Sequence, residues 1–206
     1  MSSKKYHHGN LREALLTAAI DQIKQEGADS LNLSKLSRTI GVSQPAAYRH
    51  FANKQDLTIN VGIYGYQLMQ AKIETALSQF DERTPIIQIM EAHAQAYVAF
   101  ILENPELSRL MFSLEERVSN PDLYAASKSI ATVLYGIVEA AQKEGALQNG
   151  DIDDTVRVIW SAIHGNAILL IDEQLPRVTA DEQNIPRLVQ EVVRVLVAGL
   201  FKGDFA

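Results

Sequence analysis

The segment from residue 33 to residue 57 constrains the fold of this chain more than any other part. It reads LSKLSRTIGVSQPAAYRHFANKQDL. Apolar residues recur at helical spacing on both sides of Gly41, and glycine readily ends a helix in a left-handed conformation. The segment therefore predicts a short helix over 33–40, a tight turn, a second short helix over 44–50 and the beginning of a long one.

Side chains at the predicted helix starts support these boundaries. Asn32 and Ser43 precede the two short helices and carry oxygens that accept hydrogen bonds from a first helical turn. Pro45 falls in the first turn of its helix, where a missing backbone N–H is tolerated. Asn53 is placed to cap the long helix, and Asp56 adds a negative charge to its first turn, which the helix dipole favours.

The rest of the chain carries the same helical periodicity. No strand-like alternation persists, and 47% of the residues are hydrophobic while only six are proline. These features predict an all-α fold. The predicted helices cover 10–26, 33–40, 44–50, a long stretch from Asn53, 85–103, 105–114, 121–145, 151–172 and, after a polar stretch, a last helix ending near Phe201.

Charge is distributed unevenly along the chain. Residues 1–62 hold eight Lys or Arg and five Asp or Glu, whereas the remainder holds 11 basic and 20 acidic residues. A basic head on an acidic body is expected if only the head meets phosphate, although chance clustering gives the same asymmetry. Helix length changes near the same point. We predict an N-terminal domain over 1–55 and a C-terminal domain over 56–206.

The second short helix has the size and the surface of a helix that enters a DNA major groove. A groove about 12 Å wide admits one helix, which a corner with its neighbour holds in place. Gly41 supplies the small residue that the corner needs. The outer face offers an amide for base edges, small apolar groups for thymine methyls and polar groups for phosphate oxygens. These residues are Gln44, Pro45, Ala46, Tyr48, Arg49 and His50.

Lys54 is the sharpest single indication of a phosphate contact. It lies at the start of the long helix, where the helix dipole disfavours a cation. A phosphate bound there would offset that cost and would also accept hydrogen bonds from backbone N–H groups. The alternative is a solvated lysine at a helix end, which is common. Beside the other polar residues, the sequence favours the phosphate contact.

The combination of Gly-Val-Ser, Tyr-x-His-Phe and Lys-x-x-Leu in GVSQPAAYRHFANKQDL is specific. Over residues 10–57 the chain resembles the DNA-binding domain of the TetR family of bacterial transcriptional regulators. Ala47 stands where the family usually has a larger apolar residue, and Ser37 where it usually has alanine. Both are small changes in the core, and we expect the fold to tolerate them. Ala46, often Thr or Gly in relatives, leaves the base preference open.

The resemblance implies an all-helical homodimer of about nine helices, with two helices reading a partly palindromic operator. It also implies a C-terminal domain that dimerises and binds a small ligand, whose binding usually relieves repression. Activation remains an alternative, because it depends on where the operator lies. The DNA-contacting set implied by the resemblance is Gln44, Pro45, Ala46, Tyr48, His50 and Lys54. Ser43 and Arg49 beside them are further candidates, and Ser34 and Lys35 are candidate backbone contacts.

The N-terminal arm, KKYHHGNLR, is basic and aromatic. Such arms reach the DNA backbone or a minor groove in other proteins. The alternative is a disordered tail, as at many chain termini.

Trp160, His164 and Gly165 resemble a Trp-x-x-x-His-Gly signature found in one C-terminal subgroup of the same family. Trp160 and His164 are four residues apart and share a helical face, although each is also a plausible core residue. We expect the ligand pocket among the central helices. Its candidates are mostly apolar or aromatic, which favours a mostly hydrophobic ligand. They are Tyr97, Phe100, Met111, Phe112, Tyr135, Glu139, Trp160 and His164.

The last two predicted helices each carry an apolar stripe that suits a four-helix dimer interface. An intramolecular core would give the same pattern, so the dimer rests on the resemblance and on the need for two half-sites. The stripes are Ile152, Val156, Ile159, Ile163 and Leu170 in one helix, and Val189, Val192, Val193, Leu196, Val197 and Leu200 in the other.

Other function classes find little support in the sequence. There is no phosphate-binding glycine loop after a strand, no His-Glu-x-x-His, no Gly-x-Ser-x-Gly and no cysteine, so we expect neither an enzyme nor a cofactor or metal site. No secretory signal or membrane span is visible. The absence of cysteine fits the cytoplasm. The remaining rival is a helical protein-interaction module that does not bind DNA.

Overall fold

A computed structural model describes residues 11–175 and 184–201, without the side chains of Ile185, Leu200 and Phe201. All regular structure in this described part is helical, which confirms the all-α prediction. The α-helices are α1 (Leu11–Glu26), α2 (Leu33–Ile40), α3 (Gln44–Tyr48), α4 (Lys54–Leu77), α5 (Ile86–Glu103), α6 (Pro105–Ser113), α7 (Pro121–Lys143), α8 (Ile152–Ile171) and α9 (Asn184–Phe201), with 3-10 turns at Ala28–Ser30 and Glu115–Arg117.

The predicted helix boundaries agree closely with the structure, except at the end of α3. We expected α3 to reach residue 50, but it ends at Tyr48. The backbone N–H groups of His50 and Phe51 both bond to the carbonyl oxygen of Ala47, at 2.9 and 3.2 Å. This turn directs the Phe51 ring into the core, where it is fully buried.

The described chain divides into two compact units. The first unit comprises residues 11–67 and 105–127, and the second comprises 68–104, 128–175 and 184–201. Helices α4 and α7 each contribute to both. The first packing unit is therefore larger than the predicted N-terminal domain, because it also includes α6, which packs against α1 and α4, and the start of α7. A functional division at residue 55 stays a prediction.

Local capping fixes the elements of the first unit. The Asn32 side chain accepts a hydrogen bond from the Lys35 N–H at 3.0 Å, and the Ser43 hydroxyl accepts one from the Ala46 N–H at 3.4 Å. Gly41 ends α2 with φ 74° and ψ 32°. Only glycine adopts this left-handed conformation readily, so the turn between α2 and α3 depends on it.

Two side-chain hydrogen bonds cap the start of α4. The Asn53 side chain accepts a hydrogen bond from the Asp56 N–H at 2.9 Å, and the Asp56 carboxylate accepts one from the Ala52 N–H at 2.8 Å. Asp56 stands three residues after Asn53, as in a capping box, but its carboxylate reaches the N–H of Ala52 and not that of Asn53. The two bonds fix the position at which Lys54 enters the helix.

Two buried glycines in α4 allow α6 and the following turn to approach closely. A Cβ at Gly62 would lie 2.5 Å from Leu114 Cδ1, and a Cβ at Gly65 would lie 2.6 Å from Met111 Sδ. The Tyr66 hydroxyl donates a hydrogen bond to the Met111 carbonyl oxygen at 3.0 Å. The segment after α5 is thereby packed and hydrogen-bonded to the helix that begins at the predicted phosphate contact.

In the second unit, α5 packs against α8 and α9. The two apolar stripes are largely part of this core. Within the described side chains, their buried members are Val156, Ile159, Ile163, Leu170, Val189 and Val193. Ile152, Val192, Leu196 and Val197 are half-buried, and the Leu200 side chain lies outside the description. No helix in the described ranges is both long and apolar enough to cross a membrane.

Candidate nucleic-acid interface

The corner between α2 and α3 is built as the sequence predicted. Leu36, Ala47 and Phe51 are buried and close the core beneath it, while Ile40 and Val42 are half-buried. The buried Ser37 hydroxyl donates a hydrogen bond to the Leu33 carbonyl oxygen at 2.7 Å. This bond satisfies the polar group where the family usually has alanine, so the change is compatible with the core.

The structure exposes most of the predicted DNA-contacting side chains together on α3 and its flanking turns. Tyr48 is 48% exposed although it is aromatic, and a large aromatic group at the surface often marks a binding site. The exposed members of the set are Ser43, Gln44, Pro45, Tyr48, Arg49 and His50, whereas Ala46 is half-buried. A helix with one buried alanine and this polar, aromatic outer face has the form that major-groove reading requires.

Lys54 is exposed at the first position of α4, as predicted. Its ammonium group donates a hydrogen bond to the carbonyl oxygen of Asp29 at 2.7 Å. Sequence reasoning did not find this partner, because it lies 25 residues away in the turn after α1. An ammonium group has three donors. Lys54 therefore holds one contact within the protein and retains donors for a phosphate.

Lys35 and Ser34 occupy the first turn of α2. The Lys35 ammonium lies 2.5 Å from a carboxylate oxygen of Glu26, and Ser34 is half-buried. A carboxylate competes with phosphate for the same ammonium group. Lys35 is therefore a weaker candidate for a phosphate contact than Lys54.

Arg12 is the last residue of the basic N-terminal arm identified in the sequence, and the structure describes it near this corner. Its guanidinium lies 5.7 Å from the centroid of the Phe51 ring and donates a hydrogen bond to the Asn60 side chain. The contact with the aromatic face is a cation–π interaction. It ties the start of α1 to α4 and to the turn after α3. The rest of the N-terminal arm, residues 4–10, lies outside the described residues.

Three candidates for the ligand pocket come together in the second unit. A 2.9 Å hydrogen bond joins the Tyr97 hydroxyl to His164 Nδ1, and the Trp160 indole N–H donates to the same hydroxyl at 3.2 Å. The Trp160 and His164 rings are stacked, with centroids 5.2 Å apart. Tyr97 is buried, whereas Trp160 is 40% exposed. Burial lowers the pKa of His164.

The other pocket candidates are dispersed. Phe100 is buried on α5, and Glu139 is exposed on α7. The Tyr135 hydroxyl donates a hydrogen bond to an Asp153 carboxylate oxygen at 2.6 Å, and this bond raises the pKa of Tyr135. Met111 and Phe112 lie on α6 in the first unit.

A helix-turn-helix with this exposed second helix, followed by a helical body, defines the class of helix-turn-helix DNA-binding regulators. Residues 15–61 match the model described as bacterial regulatory proteins of the tetR family. Residues 90–196 match the tetracyclin repressor-like C-terminal domain. The chain belongs to the TetR family of transcriptional regulators. Membership in the Trp-x-x-x-His-Gly subgroup stays a prediction.

The chain is also similar to curated proteins. The nucleoid occlusion factor SlmA of Vibrio vulnificus is 30% identical over 103 residues, which cover 50% of this chain and 51% of SlmA. The chain thus matches about half the length of these relatives. The fatty acid metabolism regulator protein of Bacillus subtilis is 24% identical over 90% of this chain and 93% of that protein.

Solved structures show the same fold over nearly the whole chain. A protein of unknown function from Rhodococcus sp. RHA1 is 27% identical, with a TM-score of 0.83, covering 97% of this chain and all of that one. The fatty acid degradation regulator FadR of Bacillus halodurans has a TM-score of 0.73 at 17% identity, covering 95% of this chain and 98% of that one.

Proposed function

We propose that this protein is a transcriptional repressor that acts in the bacterial cytoplasm. It binds a partly palindromic operator as a homodimer and leaves it when a small, mostly hydrophobic effector binds. The observation that carries the proposal is the polar and aromatic face of α3, exposed on a helix-turn-helix of the TetR family. One short helix reads few base pairs, so a second copy is needed for a specific site.

The side chains of the interface divide into two roles. The amide of Gln44 suits hydrogen bonds to base edges, and Pro45 and Ala46 suit contact with a thymine methyl. The remaining residues position the helix on phosphate oxygens, which sets affinity more than specificity. They are Ser34, Lys35, Ser43, Tyr48, Arg49, His50 and Lys54.

The surface of α8 supports dimerisation through the last two helices. Its outer face carries small or apolar residues at helical spacing, namely Val158, Ala162, Gly165 and Leu169. Val158 and Leu169 are exposed. A Cβ at Gly165 would meet no described atom within 4 Å, so packing within the protomer gives no reason for glycine at this position.

Helix α9 adds Val195, which is 66% exposed, and the half-buried Val192 one turn before it. The buried stripes of both helices already form the protomer core. The dimer proposal therefore rests on these outer faces, where apolar side chains on a partner would remove exposed apolar area from water.

Release of the operator by an effector requires a connection between the body and α3. Helix α4 begins at Lys54, and the glycines at 62 and 65 pack it against α6 and the residue that follows it, Leu114. The Gln55 amide also donates a hydrogen bond to the Glu116 carboxylate at 2.9 Å, which lowers the pKa of Glu116. Helix α4 also continues from Lys54 into the second unit. An effector bound in that unit pivots α4 and changes the spacing of the two α3 helices, which must match half-sites about 34–36 Å apart.

Binding to fragments of the source genome tests the proposal. Purified protein should enrich a partly palindromic sequence, and Arg49→Ala should weaken binding to it. Arg157→Ala is the matched control, because Arg157 is another exposed arginine and lies on α8. Enrichment of a site whose occupation raises transcription would support an activator instead. A protein that enriches no sequence, yet captures a protein partner through α3, would support the interaction module.

A further inference from the structure

His93 on α5 is a buried histidine that the DNA interface does not use. It is 3% exposed, and neither Nδ1 nor Nε2 has a hydrogen-bond partner within residues 11–175 and 184–201. Burial lowers its pKa from 6.5 to about 4. The imidazole is therefore neutral at pH 7, with one nitrogen as a donor and the other as an acceptor.

Packing alone does not account for a histidine at this position. His93 lies between the buried side chains of Met90 and Tyr97, one helical turn from each. An apolar residue would fill this stripe without leaving polar atoms unpaired, and unpaired polar atoms in a core are destabilising. The fold does satisfy another buried polar group, the Ser37 hydroxyl, through a bond to its own helix. A buried imidazole needs a partner from elsewhere.

A second unpaired acceptor lies on a helix that packs against α5. Asn166 Oδ1 on α8 is buried and has no partner among the described residues. Asn166 is placed between the buried Ile163 and Leu170, one turn from each. The core of the second unit thus holds two acceptors that lack a donor: one ring nitrogen of His93 and the amide oxygen of Asn166.

His93 shares a face of α5 with Tyr97, and Asn166 follows His164 by two residues on α8; Tyr97 and His164 are both predicted pocket residues. Tyr97 follows His93 by four residues and bonds to His164 and Trp160. We propose that His93 and Asn166 form the polar end of the effector site and select a neutral, mainly apolar molecule that carries a hydrogen-bond donor, such as a phenol or an alcohol. This inference rests on the proposed function in one respect: it takes the molecule bound here to be the effector.

Electrostatics narrows the ligand class. The two unpaired acceptors require a donor, which a pure hydrocarbon, ether or ester lacks, and the unpaired N–H of the neutral His93 ring requires an acceptor. A hydroxyl group supplies both. A permanent cation would lose its hydration in this core, and His93 and Asn166 offer no negative charge in return. A neutral hydroxyl satisfies an acceptor at a smaller desolvation cost, while the apolar part of the ligand contacts the surrounding side chains.

Phenol and toluene form a matched pair of probes, because they have nearly the same shape and differ by a hydroxyl and a methyl. Protein labelled with 15N-histidine is titrated with each, and the ring nitrogen signals are followed by NMR. The signal of His93 is assigned by its loss in His93→Phe. Should that variant fail to fold, His93→Gln provides the assignment and retains a hydrogen-bonding group.

We expect phenol to shift the His93 acceptor nitrogen and to raise Tm, and toluene to leave the nitrogen signal in place. Ser108→Ala is the control, because Ser108 is another buried residue with an unpaired hydroxyl, on α6. It should keep the response to phenol. Equal effects of phenol and toluene, or no shift of His93 up to the solubility of phenol, would overturn the inference.

Operator binding is measured on the same wild-type preparation, so the two proposals fail separately. An unresponsive His93 in a protein that binds its operator overturns the ligand class and leaves the regulator intact. A His93 that responds to phenol in a protein without any operator would retain the ligand site and contradict the proposed function.

Discussion

The side-chain ammonium of Lys54 donates a hydrogen bond to the backbone carbonyl oxygen of Asp29, with 2.7 Å between nitrogen and oxygen. The bond joins the first residue of α4 to the turn after α1. It reduces the freedom of a long side chain before any DNA is bound, so less conformational entropy is lost when a phosphate arrives. Lys54 is therefore partly preorganised, which an unpaired surface lysine is not.

Replacing Lys54 with alanine should weaken binding to all duplexes by a similar factor. A phosphate contact carries no base information, and its loss should reduce the slope of log Kd against log salt concentration by about one unit. Lys35→Ala should have a smaller effect, because Glu26 already pairs with that ammonium group. Fluorescence anisotropy over a salt series measures both. A larger loss for Lys35→Ala would contradict this ranking.

Replacing Gln44 with alanine should relax the preference for particular bases. A bidentate contact to a base edge contributes roughly 1–3 kcal/mol of discrimination, so the penalty should appear at one or two positions of the operator. Binding to a set of singly substituted operators locates them. If Gln44→Ala and Lys54→Ala gave the same profile across these sequences, the division between base reading and phosphate contact would be wrong.

Replacing glycine with alanine should stabilise the protein in one helix and destabilise it in another. Alanine in a helix interior is favoured over glycine by about 1 kcal/mol. At Gly136 on α7 an added Cβ meets no described atom within 4 Å, so alanine should stabilise the protein. At Gly65 on α4 the Cβ would clash with the buried Met111 side chain. Overpacking costs about 1–3 kcal/mol, so Gly65→Ala should destabilise it.

At Gly62 the clash falls on the end of the half-buried Leu114 side chain, which has more room to shift, so we expect a change near zero. Urea unfolding of the three variants tests the order. If Gly65→Ala and Gly136→Ala changed the stability equally, the close packing of α6 against α4 at Gly65 would be wrong.

Local signals in the sequence predicted most of the fold. Asn32, Gly41 and Ser43 act within one turn of their own positions, so their capping roles follow from neighbouring residues alone. The exposed face of α3 follows from the same periodicity. The size and polar outer face of the same helix indicated DNA binding, and the family resemblance then made that role specific.

The sequence could not reveal features that depend on distant partners. Lys54 bonds to a carbonyl group 25 residues away, and the need for glycine at position 65 is explained by Met111 and Leu107 on α6. The two apolar stripes of α8 and α9 suited either a core or a dimer, and only the structure showed that most of their residues are buried in the protomer. The unpaired nitrogens of His93 likewise appear only once its surroundings are known.

His93 should make stability depend on pH. Its pKa is about 4 in the folded protein and 6.5 as the ordinary value, so the unfolded chain takes up the proton first as pH falls. Above pH 6.5 the ring is neutral in both states, and the full free energy of unfolding is retained. Between pH 6.5 and 4 that free energy falls by about 3 kcal/mol in total, because the unfolded chain binds the proton first. The loss is measured as the difference in the free energy of urea unfolding between neutral pH and a pH about two units lower.

His93→Phe should remove this part of the pH dependence, whereas Ser108→Ala, a buried change without a titrating group, should keep it. If His93→Phe and the wild type lost equal stability between the two pH values, the neutral buried state of His93 would be wrong.

Glutamate at an exposed apolar position of α8 or α9 should abolish the dimer. Leu169→Glu and Val195→Glu would bury a charge at the proposed interface, which is unfavourable without a partner. Light scattering should then give the 22.8 kDa of a single chain. Val118→Glu is the control, because Val118 is 83% exposed and lies outside α8 and α9. A dimer that tolerates both interface changes would place the interface elsewhere.

The most direct test of the DNA-binding role is the affinity of purified protein for a genome-selected duplex over a salt series, with the stoichiometry measured in parallel. Our account predicts two chains per partly palindromic site. It also predicts a steep fall in affinity with salt, because several phosphates are neutralised at once. Binding without sequence preference, or with an affinity that salt leaves unchanged, would contradict the account.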